Sequence, residues 1–235
     1  GNLDAVLGIV TYPNLLGAFV KGQCDPHDFF ALYDENSTFG MFRQQGHYIV
    51  SVLDDHDMSS RATKARFAAH NPLPIGHLQA AHVVATQLTM PGMPAIYYGT
   101  EQALDGNEDY HDFSVEPKRY AEDRYVREAM FGGAFGAFGT SGCHFFNPNH
   151  PTYLRIAAIA RLRNDRDAIG RALRRGHMYP RETRYLGYPF GMPRQGEIVA
   201  WSQVHWQTEV VMALNQNAAE GRGAFVTVDA YTHPS

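Results

Sequence analysis

Three short runs set the strongest limit on how this chain can fold: AVLGIV (residues 5–10), YIVSVL (48–53) and PAIYYG (94–99). Each is apolar on successive residues, not alternate ones, and each is rich in β-branched or aromatic side chains. A strand with one solvated face alternates, whereas a strand covered on both faces does not. The runs therefore predict strands buried on both faces, as in a parallel sheet. They recur at intervals of roughly 45 residues, enough for the crossover helix that parallel pairing requires.

Helical patterns fill the intervals. IGHLQAAHVVATQLTM (75–90) places Ile75, Leu78, Ala81, Val84, Ala85 and Leu88 at helical spacing, between Pro74 and the Pro91-Gly92 stop. LLGAFV (15–20) reads as part of another helix. Strand and helix in alternation give an α/β class. The stretch 105–123 is charged and reads as a long loop. MFGGAFGAFGTSG (130–142) is either an irregular loop anchored by aromatic rings or a lid or sugar-stacking surface.

PTYLRIAAIARLR (151–163) is helical again, with Pro151 in the first turn and Leu154, Ala157, Ala158 and Leu162 on one face. A second short helix is expected to end at Arg174-Arg175, with Gly176 as its stop. Beyond it RETRYLGY, EIVAWSQVHW, TEVVMALNQN and GAFVTVDAY read as short strands punctuated by Gly, Pro and Asn. A boundary near Gly176 divides an α/β part, residues 1–176, from a small β domain, residues 177–235.

Composition narrows the function. Of the 235 residues 44% are hydrophobic, which supplies a sizeable core, and the net charge of -4 leaves no electrostatic footprint for nucleic acid. No basic amphipathic stretch favours a membrane surface, and no apolar run approaches a membrane span. Two cysteines, Cys24 and Cys143, make no disulfide framework and read as buried thiols. The compartment is left open, with a lean towards the cytoplasm.

The chemistry gathers where the second run ends, in VSVLDDHDMSSR (50–61). In a (β/α) barrel, functional side chains stand at the C-terminal ends of the strands. By that rule the second strand delivers Asp54, Asp55, His56 and Asp57, and the third delivers Tyr97, Tyr98, Thr100 and Glu101 to the same face. Carboxylates with an imidazole suit polyhydroxyl ligands, and a fixed carboxylate stabilises positive charge developing in a transition state. The same residues could ligate a metal, but neighbours on an extended stretch point opposite ways, so only two could share an ion. They could also simply cap the next helix, with Asp57 or Ser59 as N-cap. The chain has no Walker loop, no G-x-S-x-G and no pair of histidines at zinc-helix spacing.

VLDDHDMSSR resembles the fourth conserved region of the α-amylase superfamily, glycoside hydrolase family 13, which ends the seventh barrel strand. MPGMPAIYYGTEQALDG (90–106) is similar to the family's eighth strand, and AVLGIVTYPNLLGAF to its sixth strand and following helix. LRRG with EIVAWSQ and VVMALNQN resembles the entry into the family's C-terminal β-sandwich. The resemblance implies the last three βα units of a (β/α)8 barrel, followed by a small, incomplete antiparallel β-sandwich. It implies that His56 and Asp57 bind substrate, that Asp57 stabilises the oxocarbenium-like transition state, and that Asp54, Asp55, Arg61, Tyr98 and Glu101 support them. Asp55 stands where the family commonly has asparagine, and Arg61 follows Asp57 by four residues instead of three.

A retaining glycosidase needs two carboxyl groups roughly 5–5.5 Å apart. In the family these lie on the fourth and fifth strands, and no G-x-R-x-D stretch occurs here. The expectation is the C-terminal part of a glycosidase or transglycosidase acting on α-glucosidic bonds, inactive by itself, with no cofactor and no metal. The expected ligand is an α-glucan or α-glucoside, and the open barrel edges are expected to drive self-association. The alternatives are a non-catalytic amylase-like module that binds sugar or a partner, and an unrelated α/β protein.

Overall fold

The computed structural model describes residues 4–8, 11–33, 48–56, 66–68, 75–104, 127, 130 and 146–229. Strands β1 (Val6–Gly8), β2 (Ile49–Val52) and β3 (Met93–Ala95) form one sheet in that order, parallel throughout. Val6 pairs with Ile49, and Val50 with Met93. Helices α1 (Thr11–Val20) and α2 (Pro26–Phe30) lie between β1 and β2, and α3 (Ile75–Thr89) lies between β2 and β3. Each parallel pair is thus joined by a helical crossover.

Burial of the strands is less even than their composition predicts. Ser51 and Val52 are buried, but Val6 and Leu7 are 55% and 54% exposed. β1 and β3 are the two edges of the described sheet, and an edge strand has a neighbour on one side only. β3 also stops short of the apolar run. Gly99 adopts φ 83°, a left-handed conformation that opens the 3-10 turn Thr100–Gln102, so Tyr97 and Tyr98 stand past the strand end.

α3 is buried nearly all round, because it packs against α1 on one side and α4 (Pro151–Asn164) on the other. Its Gln87 side chain donates to the Ser51 carbonyl at 2.6 Å and the Ala95 carbonyl at 3.1 Å, tying the helix to β2 and β3. Gln102 is equally buried, and its amide both donates to the Asn147 carbonyl and accepts from the Asn147 N–H.

α4 buries a different face from the one its sequence suggests. Leu154 and Leu162 are half exposed, while Thr152, Ile156 and Arg163 are buried. Those three share one stripe at helical spacing, and Arg163 decides the choice. Its guanidinium donates to the carbonyls of Leu88 (2.6 Å), Leu173 (2.8 Å) and Gly92 (2.9 Å). It thereby serves the C-terminal turn of α3 and that of α5 (Ala168–Arg175), where carbonyls lack helical partners and the dipole favours a cation.

α5 starts on Asp167, whose carboxylate accepts from the Gly170 N–H at 2.7 Å, and stops at Gly176. Gly176 is extended, not left-handed (φ -68°). Glycine is needed there for space, since a Cβ would lie 2.4 Å from the Ala172 carbonyl oxygen.

The remaining strands pair antiparallel. β4 (His177–Arg181), β6 (Ile198–His205) and β7 (Thr208–Asn215) form one sheet in the order β4-β6-β7, and β5 (Thr183–Arg184) pairs with β8 (Phe225–Val226). One hydrophobic core joins these strands to the helices: Leu16, Phe19, Phe29 and Val84 pack with Met178, Val199, Trp201 and Leu214. The Phe19 and Trp201 rings meet edge-on at 6.2 Å. Buried amides cross the same interface. Gln203 donates to the Thr89 carbonyl at 2.8 Å, and Gln216 donates to the Phe19 carbonyl.

The start of α4 makes stability depend on pH. His150 is its N-cap, and the unprotonated Nδ1 accepts from the Thr152 N–H at 3.3 Å. Burial, and then His77 at 4.5 Å between ring centroids, push its pKa below the ordinary 6.5. The unfolded chain therefore takes up a proton at a pH where the native state does not. The native contribution is full above about pH 6.5 and is lost as the pH falls from there towards the lowered native value. Urea midpoints should drop between pH 7.5 and 5.5, and His150→Asn, which keeps a capping acceptor, should reduce that drop.

Candidate functional site

The parallel register carries the C-terminal ends of β2 and β3 to one end of the sheet. Asp54 follows β2 and is 2% exposed. One of its carboxylate oxygens accepts from the Phe67 N–H at 2.9 Å, and the other accepts from the Thr100 hydroxyl at 3.4 Å. It thus joins three segments: the end of β2, residues 66–68 and the turn after β3. Asp55 is half-buried and His56 is exposed. The His56 carbonyl accepts from the Arg127 Nε–H at 2.8 Å, so this backbone is anchored while the imidazole faces solvent. Asp57 and Arg61 lie outside the described residues, as do residues 105–123, residues 131–142 and Cys143.

Arg66 organises the cluster, and the sequence reading missed it. Its side chain is 2% exposed. The guanidinium donates to the Tyr98 carbonyl at 2.5 Å and lies 4.5 Å from the Tyr97 ring centroid and 4.9 Å from that of Tyr98. Burial lowers its pKa, and the negative charges of Asp54 and Glu101 oppose that shift. A buried guanidinium still keeps its proton, so Arg66 is a fixed positive centre beneath the strand ends. No periodicity marks it. In ATKARFAAH it reads as one more surface cation, and only its pairing with Tyr97-Tyr98 across the fold distinguishes it.

Gly99 lets this arrangement close. A Cβ there would lie 2.9 Å from the Arg66 Nη1 and 2.9 Å from a Leu104 methyl. The Tyr97 and Tyr98 rings meet at 4.6 Å between centroids. Burial, then a hydrogen bond with Tyr98, push the Tyr97 phenol up to about 12, so it stays neutral and can donate. Glu101 is half-buried in the turn.

The described cluster therefore has two layers. Asp54, Arg66 and the Thr100 hydroxyl form a buried, charge-compensated floor. Asp55, His56, Tyr98 and Glu101 retain exposed surface above it. Such a rim can exchange hydrogen bonds with hydroxyl groups, and its tyrosine faces can pack against apolar ligand faces. Cys24 lies elsewhere. Burial and then Asp28 and Asp25 push its thiol up to about 11, which leaves it a poor nucleophile.

Comparison with known proteins gives a limited match. No family model matches the chain. A stretch of 60 residues is 40% identical to cyclomaltodextrin glucanotransferases of Bacillus licheniformis, Niallia circulans and Bacillus sp. (strain 6.6.3). That stretch is 26% of this chain, which spans only 7% of the length of each of these relatives.

Proposed function

We infer that this chain is the C-terminal part of an α-amylase-family glycosidase or transglycosidase acting on α-glucosidic bonds. The observation that carries this reading is the adjacent, parallel order of β1, β2 and β3. It brings DDH (54–56) and YYGTE (97–101) to one end of one sheet, as the end of a (β/α)8 barrel requires. The resemblance of the same two motifs to the family's seventh and eighth strands, and the similarity to the glucanotransferases, support it further.

In this reading β1, β2 and β3 are the sixth to eighth barrel strands, and residues 177–235 belong to a C-terminal β domain. The exposed His56 imidazole hydrogen-bonds a sugar hydroxyl at the cleavage point. Asp57, its neighbour in sequence, holds substrate hydroxyls and stabilises positive charge at the anomeric carbon. Asp54 and Arg66 tie the end of β2 to the turn after β3, and no metal or cofactor takes part. The nucleophile and the acid come from residues not among these 235, because no G-x-R-x-D stretch occurs here.

The 235-residue polypeptide alone is therefore expected to turn over neither starch nor aryl α-glucosides. Turnover by pure protein that tracks with it through chromatography would contradict this. The exposed strand edges carry a second expectation. Val6, Leu7, Met93 and Ile96 leave apolar surface open on the sheet, and such surface favours association. Sedimentation should give a dimer or larger species, whereas a monomer that binds no apolar dye would count against barrel strands left open.

A further inference from the structure

A cavity of about 510 Å³ opens beside β5, in the β region and apart from the strand-end cluster. This is within the roughly 300–1,000 Å³ range of small-molecule sites. Three aromatic rings stand at it with much of their surface bare: Tyr188 (69% exposed), Tyr185 (50%) and Phe190 (41%). Burying such rings is favourable, so leaving three together in water needs a reason beyond the fold. The segment carrying them is braced. Thr183 and Gly191 exchange two backbone hydrogen bonds, of 2.9 and 3.2 Å, across its base. The Tyr188 N–H donates to the Tyr185 carbonyl at 3.0 Å. The Arg184 guanidinium is 4.9 Å from the Phe190 ring centroid and 4.8 Å from that of Phe225, which holds Phe190 in place.

The charges at the cavity define its ligand. Arg194 and Arg222 balance Glu197 and Glu220. The Glu197 carboxylate accepts from the Arg194 backbone N–H at 2.8 Å. Arg222 pairs with Glu220 at 3.4 Å and donates to the Gly196 carbonyl at 2.9 Å. A balanced set of this kind offers no net attraction to an anion or a cation. It does offer donors and acceptors for hydroxyl groups, beside flat apolar faces. A neutral molecule with hydroxyls around its edge and C–H groups on its faces matches both.

We propose that this cavity is a second carbohydrate-binding site, which takes a segment of α-glucan by stacking on Tyr185 and Tyr188. The choice of an α-linked sugar rests on the function inferred above, whereas the choice of a neutral sugar rests on the cavity. Such a site would hold a polymer near the enzyme without taking part in bond cleavage.

Calorimetric titration of the 235-residue chain with maltoheptaose and with cellohexaose tests this. Saturable maltoheptaose binding is expected. It should weaken at least tenfold in Y185A/Y188A, survive in Tyr188→Phe, which keeps the stacking face, and keep its tyrosine-dependent component in His56→Ala. Unchanged thermal melting of the exposed-tyrosine variants confirms that they fold. Binding lost in His56→Ala but retained in Y185A/Y188A overturns the second site and leaves the strand-end reading intact. Tyrosine-dependent binding of cellohexaose alone supports a sugar site and contradicts the α-glucan reading. Binding of neither sugar overturns the proposal.

Discussion

Replacing Arg66 with methionine should destabilise the protein by about 3–4 kcal/mol, in the range seen when one partner of a buried charged set is removed. The substitution deletes the hydrogen bond to the Tyr98 carbonyl and the stacking on Tyr97 and Tyr98. It also removes the positive charge that acts on Asp54, whose carboxylate stays 2% exposed. Methionine fills much of the volume, so the loss reports electrostatics and hydrogen bonding more than a cavity. The melting midpoint should fall by roughly 6–16 °C for a domain of this size. Arg66→Lys should recover only part of it, because an ammonium cannot span the carbonyl and both rings. A midpoint unchanged in Arg66→Met would show that the floor of the site is not held by this residue.

Arg163→Met should cost a similar amount, about 3 kcal/mol, for a different reason. Three carbonyls, those of Leu88, Leu173 and Gly92, lose their donor together. Hydrogen bonds from a charged donor contribute about 1.5–3 kcal/mol each, with part of that offset by the cost of burying the guanidinium. The ends of α3 and α5 should loosen first. Hydrogen exchange should therefore accelerate at the C-terminal turns of these helices in the variant, beyond the acceleration elsewhere. Equal acceleration everywhere would mean that Arg163 contributes only to global stability.

Much of the framework was legible in the sequence, because it depends on local pattern. The apolar runs at 5–10 and 48–53 contain β1 and β2, the run at 94–99 overlaps β3 only at its start, and the helix from Ile75 ends at Thr89, just before Pro91-Gly92. Pro151 opens one helix and Gly176 stops the next, as their sequence signals predict. What pattern could not supply was the role of single polar side chains in tertiary contacts. The buried face of α4 follows Arg163, a cation that composition would place in water, and not Leu154 or Leu162. Arg66 is a similar case. Its environment is assembled from Asp54 and from Tyr97, Tyr98 and Glu101, which are distant in sequence, and no local signal records that meeting. Gln87, Gln102, Gln203 and Gln216 are also buried to serve backbone carbonyls on other elements.

The strand-end motifs were legible for another reason. DDHD and YYGTE resemble a known family, and the roles proposed for them come from that likeness, because spacing alone leaves sugar binding, metal ligation and helix capping open. The geometry adds a division of labour, with Asp54 directed into the protein and His56 into solvent.

The central claim is that Asp57 acts on an α-glucan within a larger catalytic centre. It is tested most directly by assaying starch hydrolysis and glucosyl transfer with the complete product of the gene, as wild type and as Asp57→Asn. The account predicts measurable turnover by the wild type and a loss of at least about a hundredfold in kcat in the variant, as expected for removal of a group that stabilises transition-state charge. Wild-type turnover left intact by Asp57→Asn, or no turnover of any α-glucan by the complete product, would contradict it.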